Sequence, residues 1–293
     1  MVGKLSTLVI SGLLILVLLQ TAGCELEAGQ ASFLGKREAW DYGPAMKEVA
    51  KKFTGAEGVV LHLGDSITYA SPYTSWARGG EGKTAEDEAI LRWSHCGEGN
   101  DLDGCYLASY DVVYNDRSYT AASGVRADQY LAGGHRGLPP LEEIVTKYDP
   151  QIAIVMLGSN DVHAKRSVED YLRDMEAIVQ RLSANGTVVV LSTIPPVYFD
   201  DARAQQYNAA LWGLAERHKL PIIDLYGEIL ARRPGTTWDG TLLNKGDVHP
   251  TATREGVTPT SEPTPENLRE SGYLLRGWLS VQKLKEVKAR VID

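Results

Sequence analysis

Five short, nearly continuous apolar runs recur along the chain, and stretches with helical periodicity separate them. The runs cover residues 58–63, 111–114, 151–157, 187–191 and 222–225. Apolar residues recur at helical spacing in residues 44–53, 139–147, 167–183, 202–218 and 265–288. Strands and helices that alternate in this way are typical of a parallel sheet buried on both faces. The pattern therefore predicts an α/β fold with three layers, α/β/α, around a five-stranded parallel sheet.

Two segments depart from this alternation. Residues 79–110 hold six glycines, and a glycine density of this kind predicts a long excursion with little regular structure. Residues 258–265 are rich in Thr and Pro, and we expect a surface loop there.

The N-terminal residues have the pattern of an export signal rather than of the fold. Lys4 precedes a wholly apolar run at residues 13–19, and small residues follow it up to Cys24. The run is shorter than the roughly 20 apolar residues that a membrane-spanning helix needs. We therefore predict a signal at residues 1–24, a linker at 25–35 and one folded domain at 36–293. A permanent transmembrane anchor is the alternative.

The cysteines and the net charge indicate the cellular location of the protein and the classes of partner that it does not favour. Thr21-Ala22-Gly23-Cys24 resembles the lipobox of bacterial lipoproteins, in which the Cys carries lipid, although Thr21 stands where Leu is usual. If Cys24 is lipidated, Cys96 and Cys105 remain as a disulfide pair, which export permits; two unpaired thiols are the alternative. The formal net charge of -8 does not favour nucleic acid or an anionic membrane surface as a partner. We expect a periplasmic or cell-surface protein that meets the membrane only through a lipid on Cys24.

Three polar segments follow predicted strands, at the edge where parallel sheets bind ligands. Ser66 follows the first run, Asn160 the third and His249 the fifth. A serine hydroxyl becomes a good nucleophile when a base such as His removes its proton, and an Asn amide can stabilise an oxyanion. Each segment alone also fits a turn, a helix cap or a solvated loop.

Taken together, these segments resemble the four sequence blocks of the SGNH hydrolases, the GDSL esterases and lipases. The matching residues, in chain order, are Gly64-Asp65-Ser66, Ser123-Gly124, Gly158 with Asn160 and Asp161, and His249. The resemblance covers residues 58 to 288 and implies a flavodoxin-like SGNH fold. It also implies Ser66 as nucleophile, His249 as base, and an oxyanion hole of Ser66, Gly124 and Asn160. It implies no metal and no organic cofactor.

One position departs from the family pattern. The family has an Asp three residues before the His, whereas Gly246 occupies that position here and Asp247 lies two before. We predict that Asp247 orients His249; a backbone carbonyl in that role, with Asp247 as a solvated loop acid, is the alternative. His163 is a rival base that the family pattern does not support.

The resemblance implies a serine esterase. Export and the sequence Gly-Asp-Ser-Ile-Thr resemble bacterial carbohydrate esterases, which implies removal of O-acetyl groups from a small-molecule or polysaccharide substrate. Four aromatic residues could stack on sugar rings or simply pack the structure: Tyr69, Tyr73, Trp76 and Trp93. The alternatives are a lipase or lysophospholipase, and a non-catalytic carbohydrate-binding protein on the same scaffold.

Overall fold

The structure, a computed structural model, describes residues 38–95, 105–107 and 117–293. The predicted export signal and linker, Cys24, Cys96 and the predicted strand at 111–114 lie outside the described residues. Among the described residues, we find no helix with the length and apolarity needed to cross a membrane. Cys105 is buried and disulfide-bonded. Because Cys96 lies outside the described residues, the pairing of Cys96 with Cys105 stays a prediction.

A five-stranded parallel sheet forms the centre of the protein, and the predicted fold class is confirmed. Its strands lie in the order β2-β1-β3-β4-β5, and every neighbouring pair is parallel. Their bounds are β1 Val60–Gly64, β2 Tyr106–Leu107, β3 Ile152–Met156, β4 Val188–Ser192 and β5 Ile222–Ile223. Every residue of β1, β3 and β4 is buried, because helices cover both faces of the sheet.

The described residues contain eleven α-helices. Those before β3 are α1 Gly43–Ala50, α2 Ser66–Tyr69, α3 Ser75–Gly79, α4 Ala85–Ser94, α5 Ala127–Ala132 and α6 Leu141–Tyr148. Those after β3 are α7 Ser159–His163, α8 Val168–Ala184, α9 Asp201–His218, α10 Leu225–Arg232 and α11 Gly272–Val287. Short 3-10 turns lie at Ser71–Thr74, His135–Gly137 and Asn267–Arg269. A short π-helix, Lys288–Ile292, follows α11.

Three expectations from the sequence were wrong. The glycine-rich excursion contains α4, because Thr84 and Asp87 form a capping box and Ile90 and Leu91 are buried. The last helix begins at Gly272 rather than at residue 265, because the Ser271 side chain caps it by accepting a hydrogen bond from the Leu274 N–H. The fifth strand is only two residues long, because the next helix, α10, begins at residue 225.

Candidate active site

Ser66 lies at the first position of α2, directly beyond the carboxyl end of β1. The Asp65 side chain caps this helix by accepting a hydrogen bond from the Ile67 N–H, at 3.0 Å. A side chain at Gly64 would place its Cβ 2.1 Å from Thr68 Oγ1, so the tight turn between strand and helix requires glycine. Residues 64, 65, 67 and 68 are buried, and Ser66 is only partly buried. The turn therefore presents the serine hydroxyl to the surface of the site.

The His249 imidazole bridges Ser66 and Asp247. His249 Nε2 lies 2.9 Å from Ser66 Oγ, and His249 Nδ1 lies 2.8 Å from Asp247 Oδ1. The same Asp247 oxygen accepts a hydrogen bond from the Val248 N–H at 2.7 Å. The two ring nitrogens thus face a hydroxyl and a carboxylate, which is the arrangement that lets a His take a proton from a serine.

The loop that carries His249 is closed on itself by hydrogen bonds. The Asn244 N–H donates to the carbonyl of His249 at 2.9 Å, and the Asp247 N–H donates to the carbonyl of Asn244 at 3.0 Å. Gly246 has φ +66°, a left-handed conformation that glycine adopts without strain, and its N–H donates to Asp239 Oδ1 at 2.7 Å. This turn brings the Asp247 carboxylate to the imidazole, although Asp247 lies two residues before His249 and the family pattern has its Asp three residues before.

Asn160 connects two backbone segments of the site. Gly158 has φ +137° and leads from β3 into α7, in which Asn160 is the second residue. The Asn160 side-chain amide donates to Asp65 Oδ2 and to the carbonyl of Val125, each at 3.2 Å. Asn160 therefore touches the residue before Ser66 and the residue after Gly124, so the two predicted donors and Ser66 belong to one site.

Gly124 lies in a turn that is attached to the end of β1. The Ala122 N–H donates to the carbonyl of Gly64 at 3.2 Å, which places this turn beside the helix that carries Ser66. Gly124 is exposed and has φ +79°. Within the described part of the chain, the backbone N–H groups of Ser66 and Gly124 make no hydrogen bond, so both remain available to a ligand.

His163, the rival base, lies at the other end of α7 and is exposed. Its ring packs edge-to-face against Phe199, with 5.3 Å between ring centroids. The imidazole that contacts Ser66 Oγ is that of His249 instead.

The aromatic residues near Ser66 do not form a sugar-binding surface as a group. Tyr73 and Trp76 are fully buried and belong to the core, so the stacking interpretation is wrong for these two. Tyr69 and Trp93 are partly buried, and the Trp93 indole N–H donates to Glu57 at 2.9 Å.

The large exposed aromatic residues of the described chain are instead Tyr198 and Phe199, which are 53% and 41% exposed. They lie between β4 and α9, and their rings contact each other edge-to-face. These two residues were not predicted as site residues from the sequence, although two adjacent aromatic residues in the Pro-containing segment after a predicted strand are a usable signal.

Buried ionisable groups surround the site. Burial raises the pKa of the Asp65 carboxyl to about 6, and the Ile67 N–H, Arg276 and His249 act in the opposite direction. Burial, reinforced by Arg276, lowers the pKa of His62 to about 3, so His62 is neutral near pH 7. Arg276 was not predicted from the sequence, because its burial depends on what packs around the last helix. Across the described ranges, we find no cluster of three or more His, Cys, Asp or Glu side chains that could hold a metal ion.

Comparison with known proteins finds a matching family. The model of the GDSL-like lipase/acylhydrolase family matches residues 62–253. No curated protein matches the sequence significantly.

The chain is also similar to several solved structures, three of which follow. A mutant acetyl esterase with an acetate ion is 20% identical, with a TM-score of 0.50; the match covers 78% of this chain and 98% of that one. An acetylxylan esterase from Geobacillus stearothermophilus, a catalytic mutant, is 16% identical at 79% and 96% coverage, with a TM-score of 0.50. A GDSL-like lipase from Bacteroides thetaiotaomicron is 15% identical at 85% and 98% coverage, with a TM-score of 0.46.

Proposed function

The chain belongs to the GDSL-like lipase/acylhydrolase family and hydrolyses ester bonds, and from that premise we propose a serine esterase mechanism centred on Ser66. The single observation that carries the proposal is the continuous contact from Ser66 Oγ through the His249 imidazole to Asp247, at 2.9 and 2.8 Å. A serine hydroxyl, a base and a carboxylate in this order are the parts that nucleophilic ester hydrolysis requires.

In the proposed acylation step, Ser66 Oγ attacks the ester carbonyl carbon while its proton passes to His249 Nε2. The tetrahedral intermediate collapses when the C–O bond to the alcohol breaks, and His249 returns the proton to the leaving oxygen. Water then attacks the acyl-serine with the same His249 as base, which releases the acid and restores Ser66. The Asp247 carboxylate accepts the Nδ1–H bond and stabilises the charged imidazole in both steps.

The developing negative charge requires hydrogen-bond donors. We assign these to the backbone N–H groups of Ser66 and Gly124 and to the Asn160 side-chain amide. The absence of other partners for the two N–H groups within the described chain supports this assignment, as does the contact of Asn160 with residues on either side of the site. Donors that are oriented before the reaction are among the largest contributors to ester hydrolysis.

For the substrate, we propose O-acetyl groups on a carbohydrate. The fold is similar to that of an acetyl esterase and of an acetylxylan esterase, which supports a short acyl group. The exposed rings of Tyr198 and Phe199 follow β4, and Phe199 packs against His163 of α7, the helix that carries Asn160. Flat apolar faces in that place suit a sugar ring.

The proposed function is tested by hydrolysis of p-nitrophenyl esters with acyl chains of two, four, eight and twelve carbons, by the wild type and Ser66→Ala. We expect turnover that depends on Ser66 and is highest for acetate, together with acetate release from acetylated xylan. Preference for the long chains would support the lipase alternative. Full activity of a folded Ser66→Ala variant would overturn the mechanism.

A non-catalytic binding protein is less well supported than an esterase. The feature in favour of that reading was the displacement of the acid from the family position. Asp247 nevertheless lies 2.8 Å from His249 Nδ1, so the displacement leaves the contact in place.

We further propose that residues 1–24 direct export, that residues 25–35 link a lipid on Cys24 to the domain at 36–293, and that the protein works in the periplasm or at the cell surface. Expression in a bacterium tests this proposal by cell fractionation and by the intact mass of the mature chain. If the chain is exported and lipidated, it should be cleaved before Cys24, and the mature chain should carry the added mass of a lipid. That added mass should be absent from Cys24→Ser. A full-length chain in the cytoplasm would contradict it.

A further inference from the structure

The helix that carries Ser66 has only four residues and is held by a buried charged side chain at each end. An isolated helix of this length is unstable in water, so its geometry depends on outside contacts. At the N-terminal end, Asp65 caps the helix through the Ile67 N–H. At the other end, Arg276 of α11 binds the helix, and this side chain is only 3% exposed. An acid at the N-terminus and a cation at the C-terminus both complement the helix dipole.

Arg276 makes two hydrogen bonds to this helix at once. Its Nη1 donates to the carbonyl of Ile67 and its Nη2 donates to Thr68 Oγ1, each at 2.7 Å. The guanidinium carbon also lies 3.7 Å from the centroid of the Tyr73 ring, within the range of a cation–π contact. The planar fork of an arginine can satisfy two acceptors and stack on a ring together, which a lysine ammonium cannot do.

Thr68 relays this contact to the turn before the nucleophile. Its Oγ1 occupies the space next to Gly64, where an added Cβ would lie 2.1 Å away. Arg276 therefore holds the side chain that packs against the end of β1, two residues before Ser66. Movement of Thr68 would change the angle at which the helix leaves the strand.

The charge of Arg276 is costly in this position. In the part of the chain that the structure describes, no carboxylate lies within ion-pair distance of its guanidinium. The groups that contact the guanidinium are neutral, and the Asp65 carboxylate acts on it only over a longer distance. The hydroxyl of Tyr73 lies 2.8 Å from His62 Nδ1 and 2.9 Å from Ser280 Oγ. Burying a cation without a contacting anion costs desolvation energy, and the hydrogen bonds to Ile67 and Thr68 and the stacking on Tyr73 offset part of that cost.

We propose that Arg276 is a positioning residue that fixes the helix Ser66–Tyr69 and thereby holds Ser66 Oγ and the Ser66 N–H in their reactive orientation. This inference rests on the proposed role of Ser66 as nucleophile. A displacement of about 1 Å at a reacting atom can cost about 10²-fold in rate, which sets the size of the expected effect.

The test compares Arg276→Met, Arg276→Lys and Thr68→Val with the wild type. The readouts are kcat/KM for p-nitrophenyl acetate and the rate at which a p-nitrophenyl phosphonate ester labels Ser66. Both are corrected for the folded fraction, measured by circular dichroism. We expect Arg276→Met to lower both rates by about 10²-fold, and Arg276→Lys to recover part of the loss because it keeps the charge and one hydrogen bond.

Arg232→Met is the matched control. Arg232 is also 3% exposed, but its partner is Glu228 on its own helix, and it makes none of the contacts described for Arg276. Its replacement should lower the melting temperature and leave both rates of the folded protein within about twofold of wild type.

If Arg276→Met does not fold, Thr68→Val and Arg276→Lys decide the question. Both substitutions act on the contact between Arg276 and Thr68. Their effects on the labelling rate should therefore be less than multiplicative in the double variant. Provided that Ser66→Ala is inactive, either of two results would overturn the proposal. One is strictly multiplicative effects in the double variant, and the other is wild-type rates in a folded Arg276→Met. Activity retained by Ser66→Ala would instead overturn the proposed function, and with it the role of Arg276.

Discussion

The Asn160 side-chain amide donates a hydrogen bond to the carboxylate of Asp65, the residue directly before the nucleophile, at 3.2 Å. Its second acceptor is the carbonyl of Val125, also at 3.2 Å. Both contacts hold the amide in one orientation before a substrate arrives. Because a side-chain amide has two N–H bonds and both have acceptors here, a substrate oxygen must replace one of these acceptors to receive a hydrogen bond from Asn160.

Asn160→Ala should lower kcat for p-nitrophenyl acetate by about 10²- to 10³-fold, because one oxyanion donor is lost. The measurement is steady-state kinetics on protein shown to be folded by thermal unfolding. Asn185→Ala is a matched control, since Asn185 also donates to an aspartate, Asp149, at 2.9 Å. A kcat within threefold of wild type in Asn160→Ala would contradict the assignment.

Asp247→Asn should lower kcat by about 10²-fold. Loss of the acid in a buried triad costs more, about 10⁴-fold, but the Asp247 side chain is 44% exposed and water screens part of its effect on the imidazole. Asp239→Asn provides the control in the same loop, because asparagine retains an acceptor for the Gly246 N–H. Equal activity of the two variants would mean that Asp247 is a solvated loop acid.

Asp65→Asn should change how stability depends on pH. Because burial raises the pKa of Asp65 to about 6 in the folded protein, the folded state holds this proton more tightly than the unfolded state. The wild type therefore loses stability as pH rises from about 4 through 6, and the variant does not. Relative to wild type, the variant should gain roughly 2 kcal/mol in free energy of unfolding between pH 4.5 and pH 7.5.

Urea unfolding of both proteins at the two pH values measures this difference. A stability difference between the two proteins that stays constant with pH would show that Asp65 does not titrate in this range.

Tyr198→Ala and Phe199→Ala should raise KM for acetylated xylo-oligosaccharides by several-fold, up to about tenfold, if these exposed rings stack on sugar. An effect of that size corresponds to about 1.4 kcal/mol of binding free energy. Hydrolysis of p-nitrophenyl acetate should stay within twofold of wild type, because that substrate has no sugar ring. Equal loss on both substrates would argue against a sugar-binding role.

The strands and long helices of this fold could be predicted from the sequence because each has a local periodicity of apolar residues. A run such as residues 187–191 is apolar throughout since both of its faces are buried, and residues 167–183 carry a stripe that faces the sheet. Helix α4 was not predicted because the glycines of residues 79–110 indicate irregular structure, although Thr84 caps a helix among them. The buried positions of Tyr73 and Trp76 could not be read from a pattern, since exposure of a single aromatic residue depends on what packs over it.

By itself, the sequence determined the class of fold and the family. It also identified Ser66, Asn160 and His249 as candidate site residues, because each of the three follows a strand in a recognisable block. Only the tertiary structure decided that Asp247 reaches His249 and that Arg276 binds the helix of the nucleophile. The physical reason is distance along the chain. Ser66 and His249 are 183 positions apart, and Arg276 and Ile67 are 209. Contacts over such separations depend on the order of strands in the sheet and the path of the loops, which no local pattern records.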